Sequence, residues 1–220
     1  FKKRNKGLSA TQKLILQLLT SAAYLFANAY FLKADTAIDT PWGELELGIF
    51  YYVIMLLAIV YIINCANLTD GIDGLAGSIS AIIMTMFFTF AVFLDKPQMS
   101  VYTAAVLGGV IAFLAFNYYP AKVFMGDTGS LALGGALATI AVTAQHELVL
   151  VIVGGLFVAE AMSVIIQVFW YKRTGRRVFK MAPIHHHFEQ IGWAESTVVI
   201  RFWIISIVLA LAGLATLKLR

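Results

Sequence analysis

Leu75-Ala-Gly-Ser-Ile-Ser-Ala-Ile-Ile-Met-Thr-Met-Phe-Phe-Thr-Phe-Ala-Val-Phe-Leu94 is a 20-residue run without a charge, bounded by Asp73 and Asp95. At about 1.5 Å per residue, a helix of this length crosses the roughly 30 Å hydrocarbon core of a bilayer. Apolar runs of similar length recur on either side of it. Seven spans are expected, at 12–32, 47–64, 75–94, 99–117, 130–144, 147–170 and 198–217. The composition agrees: 60% hydrophobic, 13% charged and a mean hydropathy of +0.84 lie outside the soluble range. The expected fold is all-α, a polytopic transmembrane helix bundle forming a single integral membrane domain over residues 1–220.

Charge orients the bundle. With a cytoplasmic N-terminus, the inner side receives Lys2, Lys3, Arg4, Lys6, Lys13, Lys122, Lys172, Arg173, Arg176, Arg177, Lys180 and Arg201. The outer side keeps Lys33, Lys96, Lys218 and Arg220. Twelve against four is the bias of short basic loops toward the cytoplasm. The formal net charge of +4 therefore flanks spans and is no signal for nucleic acid. The same alternation puts the loops 64–74, 117–130 and 171–197 together on the cytoplasmic face. Cys65 is the lone cysteine, so neither an intrachain disulfide nor a cysteine metal cluster is available. The chain opens on Phe1-Lys-Lys-Arg-Asn-Lys6, which reads as part of a longer protein.

The three cytoplasmic loops carry the chemistry. Asp70 and Asp73 are three residues apart and share a face if a helix starts there, while Gly71 and Gly74 let a substrate approach the backbone. An ordinary turn with Asx caps is the plainer alternative, and Asp127 or Thr128 could likewise cap the fifth span. Grouped together, Asp70, Asp73 and Asp127 would repel one another unless a cation or protons sat between them. A divalent metal answers that repulsion, and magnesium favours few carboxylates plus waters and phosphate oxygens. Three adjacent histidines, His185, His186 and His187, diverge too much to share one ion, but they suit hydrogen bonding to phosphate. Phe124 reads as a span-end anchor or a base-stacking platform, and the basic run 172–180 as a positive-inside anchor or an anion contact. Glu160, deep in the sixth span with Ser163 and Gln167 on its face, reads as a polar stripe lining a cavity or groove or as a hydrogen-bonded packing residue.

Asn67-Leu-Thr-Asp-Gly-Ile-Asp-Gly-Leu-Ala76 and Val123-Phe-Met-Gly-Asp-Thr-Gly-Ser130 resemble the polyprenyl-phosphate N-acetylhexosamine-1-phosphate transferase superfamily. Met181-Ala-Pro-Ile-His-His-His-Phe-Glu189, with Gly192-Trp193 and Arg201-Phe-Trp203, is similar to one branch, the phospho-N-acetylmuramoyl-pentapeptide transferases. The resemblance covers essentially the whole chain. It implies transfer of phospho-N-acetylmuramoyl-pentapeptide from its UDP carrier (UDP-MurNAc-pentapeptide) to undecaprenyl phosphate in the membrane lipid, giving lipid I and UMP, with Mg2+ as cofactor. By resemblance Asp127 is the principal metal ligand with Asn67 beside it. Asp70 and Asp73 shape the nucleotide site, Asn117 flanks the uracil pocket and Phe124 stacks on the base. His185, His186 and His187 hold the ribose and diphosphate, His186 counting with the three aspartates as catalytic, and Lys6 helps bind phosphate. The resemblance also implies about ten spans, an upstream Asp-Asp pair beyond the sequence at hand, and a homodimer; activity is expected of the longer protein. Another UDP-sugar as donor, or a secondary transporter using Glu160 as a substrate path, are the rival readings.

Overall fold

The computed structural model describes residues 7–40 and 43–216. The first helix, α1 (Ala10–Ala27), opens on a capping box: Ser9 Oγ accepts from the Gln12 N–H at 3.3 Å while Gln12 Oε1 accepts from the Ser9 N–H at 2.9 Å. Its end widens into a π-turn at Asn28–Leu32, and a short antiparallel hairpin follows, β1 (Ala37–Thr40) and β2 (Gly43–Glu46), with Ala37 opposite Glu46. Then come α2 (Ile49–Thr69), α3 (Leu75–Phe93), α4 (Pro97–Asn117), α5 (Gly126–Ala144), α6 (Glu147–Val153), α7 (Gly155–Thr174), α8 (Ile184–Gln190) and α9 (Glu195–Ala215). The bundle is all-α apart from that hairpin, as expected of segments that must satisfy every backbone polar group internally in lipid.

Among the described residues six helices are long and apolar enough to cross a membrane: α1 with its π-turn, α2, α3, α4, α7 and α9. The expectation of seven spans is corrected at two points. α5 exists and is longer than expected, but Asp127, Ser130 and four glycines dilute its apolar character. Its packing is the reason: a Cβ added at Gly134 would lie 2.7 Å from Ile63 Cα, so only glycine lets α5 seat directly on the backbone of α2. The expected span 147–170 is two helices, broken at Gly154. There an added Cβ would meet the Leu150 carbonyl oxygen at 2.7 Å, and the Gly154 N–H donates to that same oxygen.

Loop boundaries also tighten. Asn67 stands on the last turn of α2, leaving only 70–74 as connection, and the histidines stand on α8 rather than in an open loop. Neither Asp70 nor Asp73 caps α3; Gly74 does, with φ +76° and no side-chain cap. Nor do Asp127 or Thr128 cap α5, which begins after Met125 with Asp127 in its first turn.

α3 is the most buried of the six long helices and forms the centre, consistent with its lack of any charge. Trp203 Nε1 donates to Ser78 Oγ and ties α9 to it. The two ends separate cleanly. At one end Tyr51 Oη donates to Glu147 Oε1 (2.6 Å) and Lys96 Nζ to the Ala144 carbonyl (3.3 Å), joining the starts and ends of α2, α4, α5 and α6. The connections α2–α3, α4–α5 and α7–α9 all meet at the opposite end.

Candidate active site

That meeting begins with backbone. Asn117, the last residue of α4, accepts the Gly74 N–H on Oδ1 (3.1 Å) and donates from Nδ2 to the Val123 carbonyl (2.9 Å). Asp73 accepts the Ala121 N–H on Oδ2 (2.8 Å), while its own N–H donates to Glu195 Oε1 (2.6 Å). Both side chains thus pin the 118–125 connection to the start of α3. The resemblance gave Asp73 and Asn117 to the nucleotide site; both also hold the loops that would shape such a pocket. Phe124 projects from the pinned loop with three quarters of its surface exposed, free of the aromatic clusters elsewhere.

The pinned loop delivers Asp127 to α1 and α2. Lys13 Nζ forms an ion pair with Asp127 Oδ2, and Asn67 Nδ2 donates to Asp127 Oδ1 (3.0 Å) and Ser130 Oγ (2.9 Å). The Lys13 bond, then the Asn67 bond, hold the Asp127 carboxyl below the usual range. Asp70 faces it from the end of α2. Burial first, and the Asp127 charge second, push its carboxyl up to about 6, against a lowering hydrogen bond from the Gly126 N–H. One carboxylate is therefore firmly ionised while its neighbour is reluctant.

The histidines enter from α8. An added Cβ at Gly71 would lie 2.3 Å from His185 Nε2 and 3.3 Å from His186 Nε2, so the α2–α3 turn passes directly beneath both rings. Only a glycine permits that approach. His185 is fully buried, with Nδ1 3.0 Å from Glu160 Oε2, and Glu160 is fully buried as well. His186 Nδ1 bonds Glu189 Oε2 at 2.6 Å, and His187 Nδ1 accepts the Lys180 N–H at 3.1 Å. Helix α8 is in turn braced on α9: Phe188 stacks on Trp193 at 4.5 Å, and the Arg201 guanidinium lies 3.9 Å over the Trp193 ring. The Gly192-Trp193 and Arg201-Phe-Trp203 segments thus hold the histidines in place.

Three distant stretches of chain therefore do converge, with Asp127 against Asp70 and Asn67, and Gly71 against His185 and His186. Lys6 lies outside the described residues. Sequence reasoning missed Lys13, Ser130 and Glu195, and had no partner for Glu160. Lys13 had a signal, a lone cation one turn inside an apolar span. Among the described residues no group of three or more His, Cys, Asp or Glu side chains could encage an ion. The donors near Asp127 are oxygens from two carboxylates and an amide, and Lys13 shows that the carboxylate already draws a cation. Such a sparse, oxygen-only set fits magnesium that keeps waters and phosphate oxygens, and does not fit a zinc cage.

Comparison with known proteins identifies the family. The family model described as glycosyl transferase family 4 matches residues 5–145. The phospho-N-acetylmuramoyl-pentapeptide-transferase of Desulforudis audaxviator (strain MP104C) is 45% identical over 225 residues, covering 98% of this chain and 67% of the relative. That of Phenylobacterium zucineum (strain HLK1) is 50% identical over 219 residues, covering 93% and 56%. That of Caulobacter vibrioides (strain NA1000 / CB15N) is 48% identical over 251 residues, covering 100% and 66%. The chain spans between 56% and 67% of the length of these relatives.

Proposed function

We propose that this chain, which belongs to glycosyl transferase family 4, serves in a membrane enzyme of peptidoglycan precursor synthesis. The reaction is transfer of phospho-N-acetylmuramoyl-pentapeptide from its UDP carrier to undecaprenyl phosphate, giving lipid I and UMP. The observation that carries this reading is the approach of Gly71 to His185 and His186 on one side of the α2 end and of Asp127 to Asn67, Asp70 and Lys13 on the other. A diphosphate laid across that turn would meet imidazole nitrogens and an ammonium, with two carboxylates beside it that could hold a cation.

An oxygen of the lipid phosphate attacks the sugar-linked phosphorus, the bond from that phosphorus to the bridging oxygen breaks, and UMP leaves with the electron pair. Phosphoryl transfer asks the protein for positioning and charge stabilisation more than for covalent chemistry. Asp127, oriented by the Asn67 amide, would hold magnesium with Asp70 opposite. Bound there, the ion supplies neutralisation of the diphosphate charge. Lys13, beside the same carboxylate, would offer its ammonium to a phosphate oxygen. Phe124 offers an exposed ring to the uracil, on a loop that Asn117 and Asp73 keep in register. The bond of Glu160 Oε2 to His185 Nδ1 leaves Nε2 aimed at the turn. The charge bias of the loops supports a cytoplasmic site, where a UDP-linked donor is available.

The test is UMP release by the full-length protein, with UDP-linked muramoyl pentapeptide and UDP-N-acetylglucosamine offered side by side to undecaprenyl phosphate. Release from the muramoyl donor alone supports the reading. Release from UDP-N-acetylglucosamine instead assigns the chain to a different donor.

A further inference from the structure

Past Ser163, α7 leaves the bundle. No residue in 164–184 is buried, although 164–174 continues the helix for about 15 Å. The chain then doubles back, and Gln167 clasps the resulting hairpin. Its Oε1 accepts the N–H groups of Val178 (3.0 Å) and Phe179 (2.9 Å), and its Nε2 donates to the Phe179 carbonyl (2.9 Å). Of the expected polar stripe along 160, 163 and 167, only Gln167 lines a cavity while it fixes the hairpin; Glu160 is buried and Ser163 bonds its carbonyl.

Two kinds of side chain cover this projection. Ile165, Ile166, Phe169 and Trp170 are exposed by 42–54%. Lys172, Arg173, Arg176, Arg177 and Lys180 supply five cations, and the ion pairs among the described residues involve none of them. Arg173 lies 4.4 Å over the Phe169 ring, and Arg177 Nη1 and Lys180 Nζ donate only to backbone carbonyls. A cavity of about 500 Å³ opens between α7 and the returning chain. Val164, Val168, Tyr171 and Met181 line its apolar side, Lys172 and Arg177 its charged side.

Water has no use for that apolar cover, and hydrocarbon would not accept five unneutralised cations. Both demands are met at the headgroup boundary, where aromatic rings settle and basic groups meet phosphates. We propose that the hairpin 164–184 lies in this boundary and that its cavity binds an anionic diacyl phospholipid. An acyl chain rests on Val164 and Val168, and the phosphate sits between Lys172 and Arg177. The cation excess selects a headgroup with net negative charge over a zwitterionic one. Because the Lys180 N–H donates to His187 Nδ1, a lipid that steadies the hairpin also steadies one edge of the candidate active site.

The test counts retained lipids by native mass spectrometry as the full-length protein in detergent is titrated with phosphatidylglycerol or phosphatidylcholine. Wild type is expected to hold phosphatidylglycerol at least tenfold more tightly. K172Q/R177Q should weaken that binding by roughly twenty-five-fold, at about a fivefold contribution per basic residue, and leave phosphatidylcholine unchanged. K172R/R177K, and K33Q at the other end of the bundle, should keep the preference. Equal binding of the two lipids by wild type, or an unchanged preference in K172Q/R177Q, overturns the proposal. So does displacement of phosphatidylglycerol by inorganic phosphate, which would mean a free-anion site, or by equimolar undecaprenyl phosphate, which would mean a carrier-lipid subsite. The two-lipid comparison and the competition arms use the unsubstituted protein, and they decide the matter even where a variant fails to fold.

Discussion

Glu160 and His185 are separated by 25 residues, have no solvent contact, and are joined at Glu160 Oε2 by a 3.0 Å bond to His185 Nδ1 and a 3.5 Å bond from the His185 backbone N–H. A buried pair of this kind costs several kcal/mol in desolvation, which the mutual interaction offsets only with good geometry. Its cost is understandable if the bond orients His185 Nε2 toward Gly71. Glu160→Gln keeps the shape and replaces the carboxyl with an amide, and it should lower kcat by about tenfold to a hundredfold with KM little changed; unchanged kcat would make Glu160 a packing residue. Asp70 makes a different claim. Its carboxyl, raised to about 6 from 3.8, binds a proton more tightly in the native state than in the unfolded chain. Its contribution to stability is thus present below about pH 4 and lost as pH rises through about 6. Without magnesium, Asp70→Asn should melt a few degrees above wild type at pH 8 and converge with it near pH 4. Thermal unfolding across that range checks the sign, and a variant that melts lower at pH 8 would refute it.

At the scale of elements, α5 is the instructive case. Its start was read four residues late, at 130 rather than 126, because Asp127 and Thr128 look like caps; its close packing was legible from Gly134 and Gly135, yet its place on α2 depends on a backbone contact that no pattern announces. Gly134→Val should be costly, by about 1–3 kcal/mol or more, because the obstructing atoms are Ile63 backbone rather than a movable side chain. A clear loss of thermal stability in detergent is expected, whereas Gly108→Val, with open space around its Cβ, should be neutral. Equal stability of the two variants would contradict the close α2–α5 seat. The break between α6 and α7 escaped sequence reading for a related reason. Hydropathy runs evenly through Gly154, and only the Leu150 carbonyl beside it reveals the bend.

At the scale of the molecule, unbroken apolar runs made the spans legible, and acidic, glycine and histidine islands made the three loops legible. Alternation of charge put those loops at one end, and the structure brings them together there. What the sequence could not convey is division of labour. Asp73 and Asn117 look like ligand groups and act on backbone; Lys13 looks like a boundary cation and grips Asp127. Such pairings join residues 43 (Gly74 to Asn117), 48 (Asp73 to Ala121) and 114 (Lys13 to Asp127) positions apart, and no local pattern encodes them.

The central claim is that Asp127 is the point on which these segments act together. Its most direct test is magnesium-dependent UMP release from UDP-linked muramoyl pentapeptide by full-length protein carrying Asp127→Ala. The account predicts a loss of at least a hundredfold with an unaltered gel-filtration profile. Turnover near the wild-type level, with the same magnesium dependence, would contradict it.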